Sequence, residues 1–189
     1  MTQNTPIAEA LRRAERTVTL RPERGQRTFR NIARVTRGLR CEVIEGDDYL
    51  IADVGRALGG GGDGPSPSTL LRAALSSCVA IGVKQWALRD GVPIDEVSVT
   101  VETDLDARGQ LGVADEITPG FLCIRLLIDV VGPTDPKTVD AVIAKSLRYS
   151  PLRDVFEVPQ TLNHQVRLNG PGAASAPTEI TPKEVRHGS

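Results

Sequence analysis

The chain has 189 residues, a formal net charge of −1 and 25% charged residues, a length that builds one ordinary domain around a continuous hydrophobic interior. That charge balance excludes a dominant basic face for nucleic acid or an anionic membrane, and an aromatic content of 3% removes the stacking platforms of single-strand binders and leaves an aliphatic core. The N-terminus has no apolar signal region, and the one sustained apolar run, Leu70 to Val83, is broken by Arg72 and serines and too short to span a bilayer, which predicts a soluble, cytoplasmic protein.

Residues 1–27 read as an N-terminal extension, with Ile7, Ala10, Leu11 and Ala14 at helical spacing between Pro6 and Arg16. From Thr28 the pattern turns to β: "TFRNIARV", a tight turn at Arg37-Gly38, "LRCEVI", the polar turn "EGDD", and "YLIADV". These segments predict an antiparallel meander in which Cys41 shares a face with Leu39 and Val43 as a small buried hydrophobe. Four consecutive glycines, Gly59 to Gly62, then precede a helix that Ser66 caps, Pro67 opens and Gly91 and Pro93 end. Leu71, Leu75, Cys78, Gly82 and Trp86 form one stripe of this central helix, and the small residues around Cys78 let another backbone approach closely.

Two strands follow. Val97, Val99 and Val101 alternate in the first; in the second, Leu122, Ile124, Leu126, Ile128 and Val130 share a face, with Cys123 and Arg125 on the other. Asp135 and Pro136 start a further helix with Val139, Val142, Ile143 and Leu147 as its apolar stripe, and Ser150-Pro151 restarts a short helical turn. A last strand lies around "TLNHQVRL", and the Pro/Ala/Ser/Gly-rich stretch 170–189 reads as a flexible tail. The folded part is therefore expected over 28–169 as an α+β domain with helices on antiparallel sheet.

Several chemistries fail on detail. A phosphate loop needs Lys and Ser or Thr after its last glycine, whereas Gly64 is followed by Pro65, and the dinucleotide fingerprint needs a parallel βαβ unit where a meander is read. His164 and His187 are far apart and no cysteine pair has ligand spacing, so neither a metal nor another cofactor is expected. A serine hydrolase lacks its G-x-S-x-G elbow. Three cysteines without framework spacing fit a reducing compartment. Cys78 remains, either as a packed core thiol or as a reactive one, and the second role requires a nearby cation, which arginine would supply.

The stretch "GGDGPSPSTLLRAALSSC", with "ARVTRGLRCEV" and "YLIADV" before it and "RYSPLRDVF" after it, resembles the OsmC/Ohr family of osmotically inducible and organic hydroperoxide resistance proteins. The resemblance implies an OsmC-like fold: antiparallel sheets around a long central helix, in an intertwined homodimer with its sites at the subunit interface. It implies reduction of alkyl or lipid hydroperoxides by a thiolate at Cys78, activated by an early arginine. Arg37 is the nearest match for that arginine and Arg40 the alternative; Arg40 and Ser68 are the candidate substrate-binding positions. Two positions depart from the family pattern. Ser150 stands where a second, resolving cysteine precedes a proline, and Ser68 stands where a glutamate would orient the arginine.

The sequence thus supports two expectations. One is a thiol peroxidase resolved by an external thiol or dithiol, with Cys41 as a less favoured internal resolver. The other is a non-catalytic OsmC-fold homodimer that binds a small apolar ligand or partner. Neither involves nucleic acid or a membrane.

Overall fold

The computed structural model describes residues 6–167 and 178–180. The chain divides into two compact units, residues 1–153 and 154–189. In the first unit, α1 (Pro6–Leu20) continues past the expected end at Arg16. Thr17 and Thr19 turn their hydroxyls back onto the carbonyls of Arg13 and Glu15 at 2.8 and 2.9 Å, so these two weak helix formers fit the last turn.

Strands β1 (Ile32–Val35), β2 (Cys41–Glu45) and β3 (Asp48–Ala52) form the expected antiparallel meander in that order. The β1 strand starts at Ile32, leaving Thr28 to Asn31 outside it. Glu45 pairs with Asp48 across the two-residue turn Gly46-Asp47, where Gly46 has φ +57°, the conformation that tight hairpin turns require. Ile32, Val35, Ile44, Tyr49 and Leu50 of the meander remain exposed.

The reason for the glycine run lies just after β3. Asp53 is 2% exposed, and its carboxylate accepts the N–H groups of Val54 at 2.7 Å and of Gly61 and Asp63 at 3.0 Å each. The backbone N–H of Asp63 is the leading cause, ahead of those of Val54 and Gly61, that holds this carboxyl below the usual carboxylate range, and burial opposes it. A Cβ on Gly60 would lie 2.0 Å from the Val54 carbonyl oxygen, and one on Gly64 would lie 2.4 Å from that of Ile51. The loop is glycine-rich because its backbone lies directly on the end of β3. Two of its N–H groups are already committed to an internal anion, which agrees with setting phosphate binding aside.

Helix α2 (Pro67–Asp90) has the predicted ends: Ser66 accepts the Thr69 N–H at 3.2 Å, and Gly91 closes it at φ +72°. Its buried stripe is Leu75, Val79, Val83 and Ala87: Leu75 is buried as expected, and beyond it the buried positions lie one residue after the expected Cys78, Gly82 and Trp86. Leu71 is exposed, while Cys78, Gly82 and Trp86 are half-buried and border the stripe. Strands β4 (Glu96–Leu105) and β5 (Phe121–Val131) pair antiparallel with a register shift between Asp104 and Leu105. That irregularity corrects the expected face of β5: Leu105 pairs with Phe121, and Leu122 is exposed while Ile124, Leu126, Ile128 and Val130 keep their inward face.

Between these strands Asp106 caps the short helix α3 (Ala107–Gln110), which was not anticipated. Helix α4 (Pro136–Arg148) is capped by Asp135, which accepts the Thr138 N–H at 3.1 Å, and it packs against α2, with Val142 in the buried cluster and Ile143 and Leu147 against that cluster. Helix α5 (Pro151–Glu157) begins at the expected serine-proline pair.

In the second unit β6 (His164–Val166) pairs antiparallel with β7 (Thr178–Ile180). The rest of the stretch expected as a tail, including His187, lies outside the described residues. Among the described residues no helix is long and apolar enough to cross a membrane.

Two outcomes test the loop. Gly60→Ala should lower stability by about 3 kcal/mol, since its Cβ meets backbone, whereas Gly55→Ala, with open space around it, should stay within about 0.5 kcal/mol in denaturant titration. Asp53→Asn should lower Tm by several degrees near neutral pH. Because the folded-state pKa lies below the unfolded one, about 3.9, the difference between the two proteins should be full above that value and vanish as pH falls through the folded-state pKa.

Candidate functional site

Cys78 lies near the middle of α2, half-buried, on the side that meets α4. Its sulfur is 3.6 Å from the Ser150 hydroxyl oxygen, and Ser150 is 6% exposed. Ser150 follows α4 and precedes Pro151, so it acts as the N-cap of α5: its oxygen accepts the Arg153 N–H at 3.3 Å. That acceptor contact leaves the hydroxyl proton available to the sulfur. Ser150, the residue that the sequence resemblance sets against a second cysteine, is therefore in contact with Cys78.

The same face continues along both helices. One turn after Cys78, Gly82 brings α2 so close to α4 that a Cβ there would sit 2.8 Å from the Ser146 hydroxyl oxygen. Trp86 then stacks on Tyr149 with ring centroids 5.3 Å apart, while the Arg89 guanidinium and the Lys145 ammonium each lie 4.5 Å from the Trp86 ring. Lys145 is also 2.8 Å from Asp90, and Arg89 pairs with Glu15 of α1. Exposed cation–π contacts contribute about 0.5–1 kcal/mol each. Together these contacts favour one register of α2 against α4, in which Ser150, just past the end of α4, faces Cys78.

The early arginines are placed differently. Arg37 is exposed in the turn after β1. Arg40 donates to Glu42 at 2.5 Å and to the Tyr49 hydroxyl at 3.4 Å, and its Nε is 3.8 Å from the Asp63 carboxylate of the glycine loop. The hydrogen bond from Arg40 holds the Glu42 carboxyl below its ordinary range. Ser68 is half-buried in the first turn of α2, and ten residues of helix put Cys78 about 15 Å further along the axis. Within this chain Arg40 is gathered with carboxylates at the start of α2, and Cys78 is gathered with Ser150 at its middle. No hydrogen bond among those of the described residues joins the Cys78 sulfur to Arg37, Arg40 or Ser68.

Sequence reasoning missed Asp53, Asp63 and Ser146. Asp53 had a signal, an acid ending an apolar strand ahead of a glycine run, and Ser146 had one too, a serine on the apolar stripe four residues after Val142. The other two thiols are simply placed. Cys41 is half-buried in β2 with its sulfur 3.9 Å from the Glu42 carbonyl oxygen, and Cys123 is exposed on β5. Among the described residues no group of three or more His, Cys, Asp or Glu side chains could hold a metal ion.

Known proteins align with this arrangement. Residues 60–165 match the family model described as OsmC-like protein. No curated protein matches the chain. Among solved structures, an OsmC-like protein from Mycoplasma pneumoniae is similar with a TM-score of 0.60 at 14% identity, over 70% of this chain and 89% of that one. An organic hydroperoxide resistance protein from Legionella pneumophila gives a TM-score of 0.53 at 24% identity, over 69% of this chain and 89% of its own. One from Elizabethkingia anophelis gives 0.53 at 16% identity, over 71% and 91%. These likenesses carry the fold, and the family match spans more than half of the 189 residues, including the glycine loop, Cys78 and Ser150. The chain belongs to the OsmC-like protein family.

Proposed function

We propose that this protein is a thiol peroxidase that reduces organic hydroperoxides through Cys78 in the reducing cytoplasm, and that it works as a homodimer. The observation that carries the reading is the placement of a half-buried thiol in mid-helix, 3.6 Å from the Ser150 hydroxyl. The names of the Legionella and Elizabethkingia neighbours, organic hydroperoxide resistance proteins, support the substrate class. Exposed apolar side chains near the site, Ile81 of α2 among them, suit both an apolar substrate and a second copy of the chain against α2 and the meander.

In the proposed reaction the Cys78 sulfur attacks the terminal oxygen of the hydroperoxide. The S–O bond forms as the O–O bond breaks, leaving a sulfenic acid, and the departing alkoxide takes a proton to become the alcohol. With serine at position 150 no internal disulfide forms there. An external thiol therefore attacks the sulfenic sulfur and releases water, and a second thiol reduces the mixed disulfide and restores the Cys78 thiol. Arg37, or Arg40 in its place, would supply the cation this chemistry draws on, with Arg40 and Ser68 as the substrate-binding positions.

The competing reading is a non-catalytic dimer that binds a small apolar ligand. It is favoured by the commitment of Arg40 to Glu42 and Asp63. Consumption of cumene hydroperoxide with a dithiol separates the two. Cys78→Ser should abolish turnover while Cys41→Ser and Cys123→Ser retain it; turnover unchanged in Cys78→Ser would refute the peroxidase reading. Ser150→Cys should also convert the protein, on peroxide treatment, to a form with an internal disulfide to Cys78, because small side-chain rotations close a 3.6 Å contact to bonding distance. Peptide mapping reads that bond.

A further inference from the structure

Helices α2 and α4 run antiparallel along their contact, with Cys78 facing Ser150 and Gly82 facing Ser146 one turn away. Ser146 is 2% exposed, and among the described residues its hydroxyl has no hydrogen-bond partner. An unpaired hydroxyl buried against a helix is a standing cost to the fold, and alanine would remove it at no loss of packing. Valine or alanine at this position of an apolar stripe would be the ordinary choice. The missing side chain of Gly82 leaves the space in which this hydroxyl sits, on the α2 face that carries Cys78. On that face the β-carbons of residues four apart are about 5–6 Å from each other.

We infer that Ser146, with Ser150, forms a two-hydroxyl receptacle for the oxygen atom that Cys78 acquires from its hydroperoxide substrate. The inference rests on the peroxidase reading and deepens it. Among the described residues the reduced thiol engages Ser150 alone. Transfer of one oxygen from the hydroperoxide, with its two-electron reduction to the alcohol and oxidation of the thiol to the sulfenic acid, places a new acceptor atom on the seam between the helices. The Ser150 hydroxyl donates to it from one side and the Ser146 hydroxyl from the next turn, so the group left unpaired in the reduced protein is satisfied in the oxidised one.

Such a receptacle meets a need specific to this chain. With serine instead of cysteine at position 150, the sulfenic acid waits for an external thiol. Holding its oxygen between two donors draws electron density from the sulfenic sulfur and restrains its attack on a second hydroperoxide, whose O–O bond would break as the sulfur went on to the sulfinic acid.

The test compares the full-length protein with Ser146→Ala. Each reduced protein receives one equivalent of cumene hydroperoxide without thiol, dimedone is added at timed intervals, and the Cys78 adduct is read by mass; melting curves are recorded for both reduced proteins. Ser146→Ala should melt, in its reduced form, at the same or a higher temperature than the wild type. Its sulfenic acid should be lost about tenfold faster, the order of effect of one hydrogen bond, and excess peroxide should drive it to the sulfinic acid sooner. Equal sulfenic lifetimes in the two proteins would overturn the receptacle while leaving the peroxidase reading intact. Failure of wild-type Cys78 to give any adduct or higher oxide would overturn the peroxidase reading itself, and the receptacle with it.

Discussion

The close approach of α2 and α4 at Gly82 is the constraint on which the candidate site depends. A Cβ there would lie 2.8 Å from the Ser146 hydroxyl oxygen, so glycine lets the helices meet with Ser146 in the rotamer it holds, one turn from the contact of Cys78 with Ser150. The aliphatic packing of Leu75, Val79, Val83 and Val142 supplies the driving force, on the order of 1.5–3 kcal/mol for each fully buried large side chain. Packing of that kind has little angular preference. The register comes from directional contacts around Trp86, where two cations, a tyrosine ring and the ion pair from Lys145 to Asp90 admit one alignment.

A second constraint fixes the other end of α2. The Asp53 carboxylate serves as an internal anion for the glycine loop and takes the donors that such a loop could have offered to a phosphate. The same loop carries Asp63 to Arg40, so the buried acid, the glycines and the guanidinium form one connected arrangement ahead of the helix. In a chain with serine at position 68, Glu42 and Asp63 are the carboxylates that hold this arginine.

Much of the fold could be read in the residues, because local rules act locally. Ser66-Pro67, Gly91 and Asp135-Pro136 mark helix ends by hydrogen bonds that need only their own neighbours, and all of them fall where expected. What depends on another element was harder to see. Leu122 was assigned inward because alternation assumes an unbroken ladder, and the irregularity beside Leu105 turns it outward. The buried stripe of α2 was placed one residue off because many of its residues are small and fit against a neighbour on several sides. Of the site, the resemblance singles out Cys78 and Ser150, and the structure brings the two to 3.6 Å from each other. The partners of the Asp53 carboxylate and the buried position of the Ser146 hydroxyl were not legible, since both arise where glycines distant in sequence or on another helix bring backbone close.

The three thiols allow a direct test within one molecule. Cys123 is exposed and Cys78 half-buried, so accessibility alone would have peroxide reach Cys123 first. The native protein is mixed with less than one equivalent of cumene hydroperoxide and quenched early, and peptide mass analysis shows which cysteine has gained oxygen. The account predicts oxidation at Cys78 well ahead of Cys123. Oxygen found on Cys123, with Cys78 untouched until the protein is unfolded, would contradict it.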